Sequence, residues 1–71
     1  MAGIATVTLR FDGSTISVSS VTPLADWVYH VDNNGPGSVE VKFFNVATEN
    51  EGEFHASVGN GGITVETGGA G

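Results

Sequence analysis

Cysteine is absent from this chain of 71 residues. That removes disulfides, thiol nucleophiles and thiolate-bound zinc from consideration. Cations are almost as scarce: Arg10 and Lys42 stand against eight acidic residues, for a formal charge of −6. A phosphate backbone is bound through lysine and arginine contacts that displace counterions. Two cations cannot make such a footprint, so no nucleic-acid partner is expected, and adhesion to an anionic membrane is disfavoured on the same ground. No apolar run approaches the roughly 20 residues of a membrane span, so no membrane insertion by this segment is expected. The opening Met1-Ala2-Gly3-Ile4 has neither the basic n-region nor the apolar h-region of a signal peptide. Small secreted domains usually lean on disulfides, which tilts the reading toward the cytosol. Some bacterial extracytoplasmic domains also do without them, and the segment can be cut from a longer exported or anchored protein, so the compartment stays open.

What the chain has is punctuation. Asp12-Gly13, Asn33-Asn34-Gly35-Pro36-Gly37 and Gly59-Asn60-Gly61-Gly62 each sit between runs of alternating apolar residues. That is the pattern of antiparallel hairpins. The length suits one domain, which buries only about 60% of the unfolded chain's surface and so needs a well-packed core. Residues 1–67 are expected to form a single β domain, with Gly68-Gly69-Ala70-Gly71 as a flexible tail.

Ala5, Val7, Leu9 and Phe11 fall on one face of the first run and Thr6, Thr8 and Arg10 on the other. A two-residue turn at Asp12-Gly13 sets Phe11 opposite Ser14, Leu9 opposite Ile16 and Val7 opposite Val18. Residues 22–32 carry two signals. Thr22-Pro23 can start a helix, with Leu24, Trp27, Val28 and Val31 as its apolar stripe. The β-branched and aromatic run Trp27 to Val31 favours a strand to Asp32, and that is the reading adopted. Returning through the Asn33 to Gly37 loop, Val31 meets Val39, Tyr29 meets Val41, Trp27 meets Phe43 and His30 meets Glu40. Val46 to Gly52 reads as a polar loop. Beyond it Phe54, Ala56 and Val58 point inward, with Val58 opposite Ile63 and Ala56 opposite Val65. The expected fold is all-β, a six-stranded antiparallel meander closing as a small barrel or sandwich. The alternative is a β-grasp with a helix at 22–32.

Candidate chemistry is thin. His30 and His55 lie near Asp32, Glu40 or Glu53 on outward faces, but a metal site needs three or four converging ligands, and the spacing specifies none. They are read as surface histidines, with no metal and no cofactor expected. The serines and threonines lack an adjacent base and a Gly-x-Ser-x-Gly elbow, and no catalytic residue is expected. Gly59-Asn60-Gly61-Gly62 precedes a strand and not a helix, so it is no phosphate cradle. Asp32-Asn33-Asn34-Gly35 lacks the alternating oxygens and closing glutamate of a calcium loop.

The register leaves Val28, Phe44 and Val46, with Leu24, on the face opposite the Trp27–Phe43 ladder. Exposed together they would form an apolar patch of the kind that marks a partner surface; the competing reading covers that face with another strand. Glu49, Glu51 and Glu53 gather the acids otherwise scattered along the chain. The expected partner-binding residues are therefore Val28, Phe44, Val46, Glu49 and Glu51. Edge strands of so small a sheet can also pair between copies of the chain.

The stretch Val21-Thr22-Pro23, Trp27, Gly35-Pro36 and Val39-Glu40-Val41-Lys42-Phe43 resembles small extracytoplasmic β domains of actinobacterial membrane-anchored regulatory proteins. It spans about half of the chain. The resemblance implies a bacterial binding or sensing module outside the membrane and carries over no catalytic residue. Trp27-Val28-Tyr29 before an Asn-Gly turn also resembles the Trp-Arg-Tyr segment of small bacterial α-amylase inhibitors, with valine in place of the arginine. The expected function is a non-enzymatic protein-interaction or sensor domain. The alternative is a small acidic inhibitor, a phage-type antagonist or a glycosidase inhibitor acting through Glu49 to Glu53.

Overall fold

The computed structural model describes residues 3–59 and 62–69. Six strands account for most of them: β1 (Ala5–Phe11), β2 (Ile16–Pro23), β3 (Trp27–Asn34), β4 (Ser38–Asn45), β5 (Glu51–Gly59) and β6 (Gly62–Gly69). There is no helix among the described residues, and hence none long or apolar enough to cross a membrane. Residues 22–32 contain a strand, so the β-grasp alternative falls: β-branched and aromatic side chains outweigh the helix-start signal at Thr22-Pro23.

The strands form two antiparallel sheets, β1-β2 and β3-β4-β5-β6. A closed barrel is not found. One face of the larger sheet supplies Val39, Val41, Phe43, Phe54 and Ala56 to a core completed by Ala5 and Ile16 of the ribbon. Each large side chain withdrawn from water in this way contributes about 1.5–3 kcal/mol. Trp27, Val31, Val58 and the ribbon's Val7, Leu9, Val18 and Val21 pack around it half-buried. The molecule is elongated, 38 × 19 × 19 Å, so the core is a thin strip that does not reach every inward-facing position. Phe11, Tyr29, Ile63 and Val65 were expected inside and stand exposed; Ile63 and Val65 do so because the two-stranded ribbon is narrower than the four-stranded sheet and does not extend over β6.

Two registers differ from expectation by a slip of two residues, which keeps every side chain on its face. The β1–β2 connection uses four residues, Asp12 to Thr15, closed by Asp12 N–H donating to the Thr15 carbonyl (2.9 Å). Phe11 therefore opposes Ile16 and Leu9 opposes Val18. In β3–β4, Val31 opposes Val41, Tyr29 opposes Phe43, Trp27 opposes Asn45, and His30 opposes Lys42 in place of Glu40. The β5–β6 register is as expected, with Val58 opposite Ile63 and Ala56 opposite Val65. Its turn residues Asn60 and Gly61 lie outside the described set, as do Ala70 and Gly71 of the expected tail. Gly68 and Gly69 are not tail: they pair with Glu53 and Gly52. β5 also starts at Glu51, so the polar loop is shorter than expected.

Bulges explain the rest. The β1–β2 register shifts beyond Thr8 and Leu9, leaving Ser19 unpaired, so Val7 opposes Val21 and not Val18. An extra residue reverses the alternation, and the shift keeps Val18 and Val21 both against the core. A second bulge leaves Asp32 unpaired between Val31 and Asn33. It sets Asn34 on the ribbon side of the sheet, opposite Val39, where its exposed Oδ1 accepts the N–H of Val18 at 2.7 Å. The β3–β4 turn is tied to two other strands: Ile16 N–H donates to the Pro36 carbonyl (2.9 Å) and Val58 N–H to the Gly37 carbonyl (3.0 Å).

Candidate functional site

The outer face of the β3–β6 sheet, turned away from the ribbon, gathers most of the residues singled out in the sequence. Alternation fixes which side chains it carries, and pairing sorts them into rows across the strands. The first row runs Val28, Phe44, Glu51. The second runs His30, Lys42, Glu53, Gly68, and the third runs Glu40, His55, Glu66. The face is thus graded from an apolar end to a mixed, mainly acidic middle.

At the apolar end Val28 is 49% and Phe44 38% exposed, so no described strand covers them. Leu24 and Val46, in the flanking connections, are more exposed still. Those connections are locked to each other: Val46 N–H donates to the Asp26 carbonyl at 2.8 Å. The anchor is Asn45, the one buried polar residue among those described. Its Oδ1 accepts from the N–H groups of Ala47 and Thr48, both at 2.9 Å. Its backbone accepts from Glu49 N–H (2.8 Å) and donates to the Asn50 carbonyl (2.8 Å). This Asx arrangement holds the loop although Glu49 sits at φ 62°, and Asp26 across from it at φ 71°.

Of the expected partner-binding residues, Val28, Phe44 and Glu51 lie directly side by side, and Val46 follows two positions beyond Phe44. Glu49 stands in the Asn45-anchored loop at the same end, off the sheet. Asn45 was missed by sequence reading. Its only signal was a polar residue at an inward position immediately before a polar loop.

In the middle of the face, Lys42 Nζ meets Glu53 Oε2 at 3.1 Å. The hydrogen bond that the lysine donates to Glu53, and then the charge of that carboxylate, hold Lys42 above its usual pKa, with smaller help from Glu40 and Asp32. Both partners are about half exposed, so the pair adds little to stability. His30 Nδ1 lies 2.6 Å from Asp32 Oδ1, with the histidine exposed and the aspartate side chain about one third exposed. His55 sits between Glu40 and Glu66 in register, beside an open depression that those three share with Glu53, Thr67 and Gly68. No three of the described histidine, aspartate and glutamate side chains are placed to hold a metal ion. No known protein family, curated protein or solved structure matches the chain.

Proposed function

We propose that the chain is a non-enzymatic binding module that uses the Val28–Phe44 end of its outer face to hold a protein partner. In this reading the ribbon and the sheet are the two layers of a small sandwich, and the outer face is free for contact. One observation carries it: Val28 and Phe44, neighbours across β3 and β4, are both exposed although a domain this small gains by burying every large apolar side chain. Adjoining exposed apolar groups with a polar rim are characteristic of interaction sites. The rim here is acidic, with Glu51 beside Phe44 and Glu49 in the adjacent loop. That favours a partner whose contact surface is apolar at its centre and basic around it.

The test is Phe44→Asp measured against the captured partner by calorimetry or surface binding. Loss of at least about tenfold in affinity, roughly 1.4 kcal/mol, with an unchanged circular dichroism spectrum, supports the reading; an unaltered affinity removes it. An inhibitor acting mainly through its acids behaves differently. There Glu49→Gln with Glu51→Gln abolishes binding, Phe44→Asp does not, and affinity falls steeply with salt.

A further inference from the structure

A second surface, at the opposite border of the sheet, has different chemistry. β6 is the last strand of its sheet, and no described strand pairs with its outer edge. Strand edges are usually blunted by proline, lysine, a bulge or a covering element. β6 has none of the first three: it reads Gly-Ile-Thr-Val-Glu-Thr-Gly-Gly, and its ladder with β5 runs without a shift from Gly62 to Gly69. The other border contrasts with it. β3 carries the Asp32 bulge and reaches toward β2 through Asn34.

The two faces beside this edge differ. On the core side, Ile63 and Val65 are 39% and 52% exposed, next to half-buried Val58, because the ribbon does not extend over β6. On the outer side stands Glu66, with Glu40 and Glu53 across the depression they share with His55. Lys42, the one cation on that face among the described residues, is already engaged by Glu53. We propose that β6 is a docking edge for an extended segment of a partner protein in which apolar residues alternate with lysine or arginine. Main-chain hydrogen bonds would extend the sheet by one strand. The apolar side chains would cover Ile63 and Val65, and the cations would enter the acidic field around Glu66. Charge argues against a second copy as the occupant: the chain carries −6, another β6 would set a second Glu66 in the same field, and β1 offers Arg10 alone. This edge is separate from the Val28–Phe44 end and does not depend on its role.

The experiment uses an acetylated and amidated octapeptide of alternating valine and lysine, titrated into the whole chain. Binding is followed by NMR shifts and by amide hydrogen exchange. Saturable binding with slowed exchange confined to residues 62–69 is expected. In an added strand the N–H groups of alternate residues face opposite edges. Methylating the backbone nitrogens of either the valines or the lysines should therefore abolish binding, and methylating the other set should leave it. Glu66→Lys should weaken binding at least about fivefold, a peptide with glutamate for lysine should not bind, and Phe44→Asp should change nothing. Equal binding of both methylated peptides, protection outside β6, or no binding at all overturns the proposal. So does sedimentation showing that the chain alone dimerises with its β6 amides protected.

Discussion

Phe43 and Phe44 are neighbours in sequence and opposites in environment. Phe43 is 3% exposed and packs with Val41 and Phe54; Phe44 is 38% exposed on the far side of the same strand. The alternation that places them is the same, and only the ribbon of β1 and β2 distinguishes the two faces. One face of the β3–β6 sheet thus carries the stability of the domain and the other is free to carry recognition. The border of the sheet falls between them: Ile63 and Val65 belong to the core face by register and to the surface by exposure.

Truncating each phenylalanine to alanine breaks the comparison most directly. Phe43→Ala should cost about 3–5 kcal/mol, enough to unfold a chain of this size at room temperature, since small domains hold only about 5 kcal/mol or slightly more. Phe44→Ala should stay within about 1 kcal/mol. Urea unfolding followed by tryptophan fluorescence checks both; equal costs would mean the outer face is also core.

Gly35→Ala probes the junction of the ribbon with the sheet. Gly35 has φ 82°, and a Cβ there would overlap the carbonyl oxygen of Ile16. A left-handed alanine alone costs about 1–2 kcal/mol, so a total above about 2 kcal/mol is expected in thermal or urea unfolding. Asn45→Ala removes the acceptor for two loop N–H groups and should cost about 1–2 kcal/mol, with faster amide exchange at Ala47 and Thr48 as its local signature.

The smallest effect belongs to the Lys42–Glu53 pair. The lysine pKa is raised in the folded chain, so its contribution is present below the ordinary lysine pKa and fades as pH rises through the raised value. Lys42→Gln should leave stability at neutral pH nearly unchanged and remove a slight alkaline decline. Parallel urea midpoints across the alkaline range test this.

The sequence made the strands and their faces legible, because a period of two survives any slip of two residues. That is why the Val39, Val41 and Phe43 stripe was recognisable although two of the three hairpin registers were displaced. The displacements came from features whose energy is not local. Asp12-Gly13 can close a two-residue turn, yet the wider loop lets Phe11 meet Ile16. Ser19-Ser20 interrupts the alternation of β2, a cue to a bulge that the expected register of Val7 opposite Val18 passed over, whereas Asp32 offers no such cue; its bulge comes with the distant contact of Asn34 with Val18. The extent of each layer was equally hidden. Alternation tells which side of a strand is apolar and not how far the opposing layer reaches, so the exposure of Tyr29, Ile63 and Val65 had no sequence signal. At the outer face, the juxtaposition of Val28, Phe44 and Glu51 was half legible: Val28 and Phe44 shared a face by parity, but Glu51 had been assigned to a loop and stands on β5.

The turn between β3 and β4 has a practical corollary. Its carbonyls at Pro36 and Gly37 are occupied by β2 and β5, so a peptide grafted there would break its ties to two other strands at once. The connection at Asp12 to Thr15 has its backbone hydrogen bonds within itself and is exposed at each of its four residues. It is the place to splice a reporter, an affinity handle or new chain termini without disturbing the rest of the molecule.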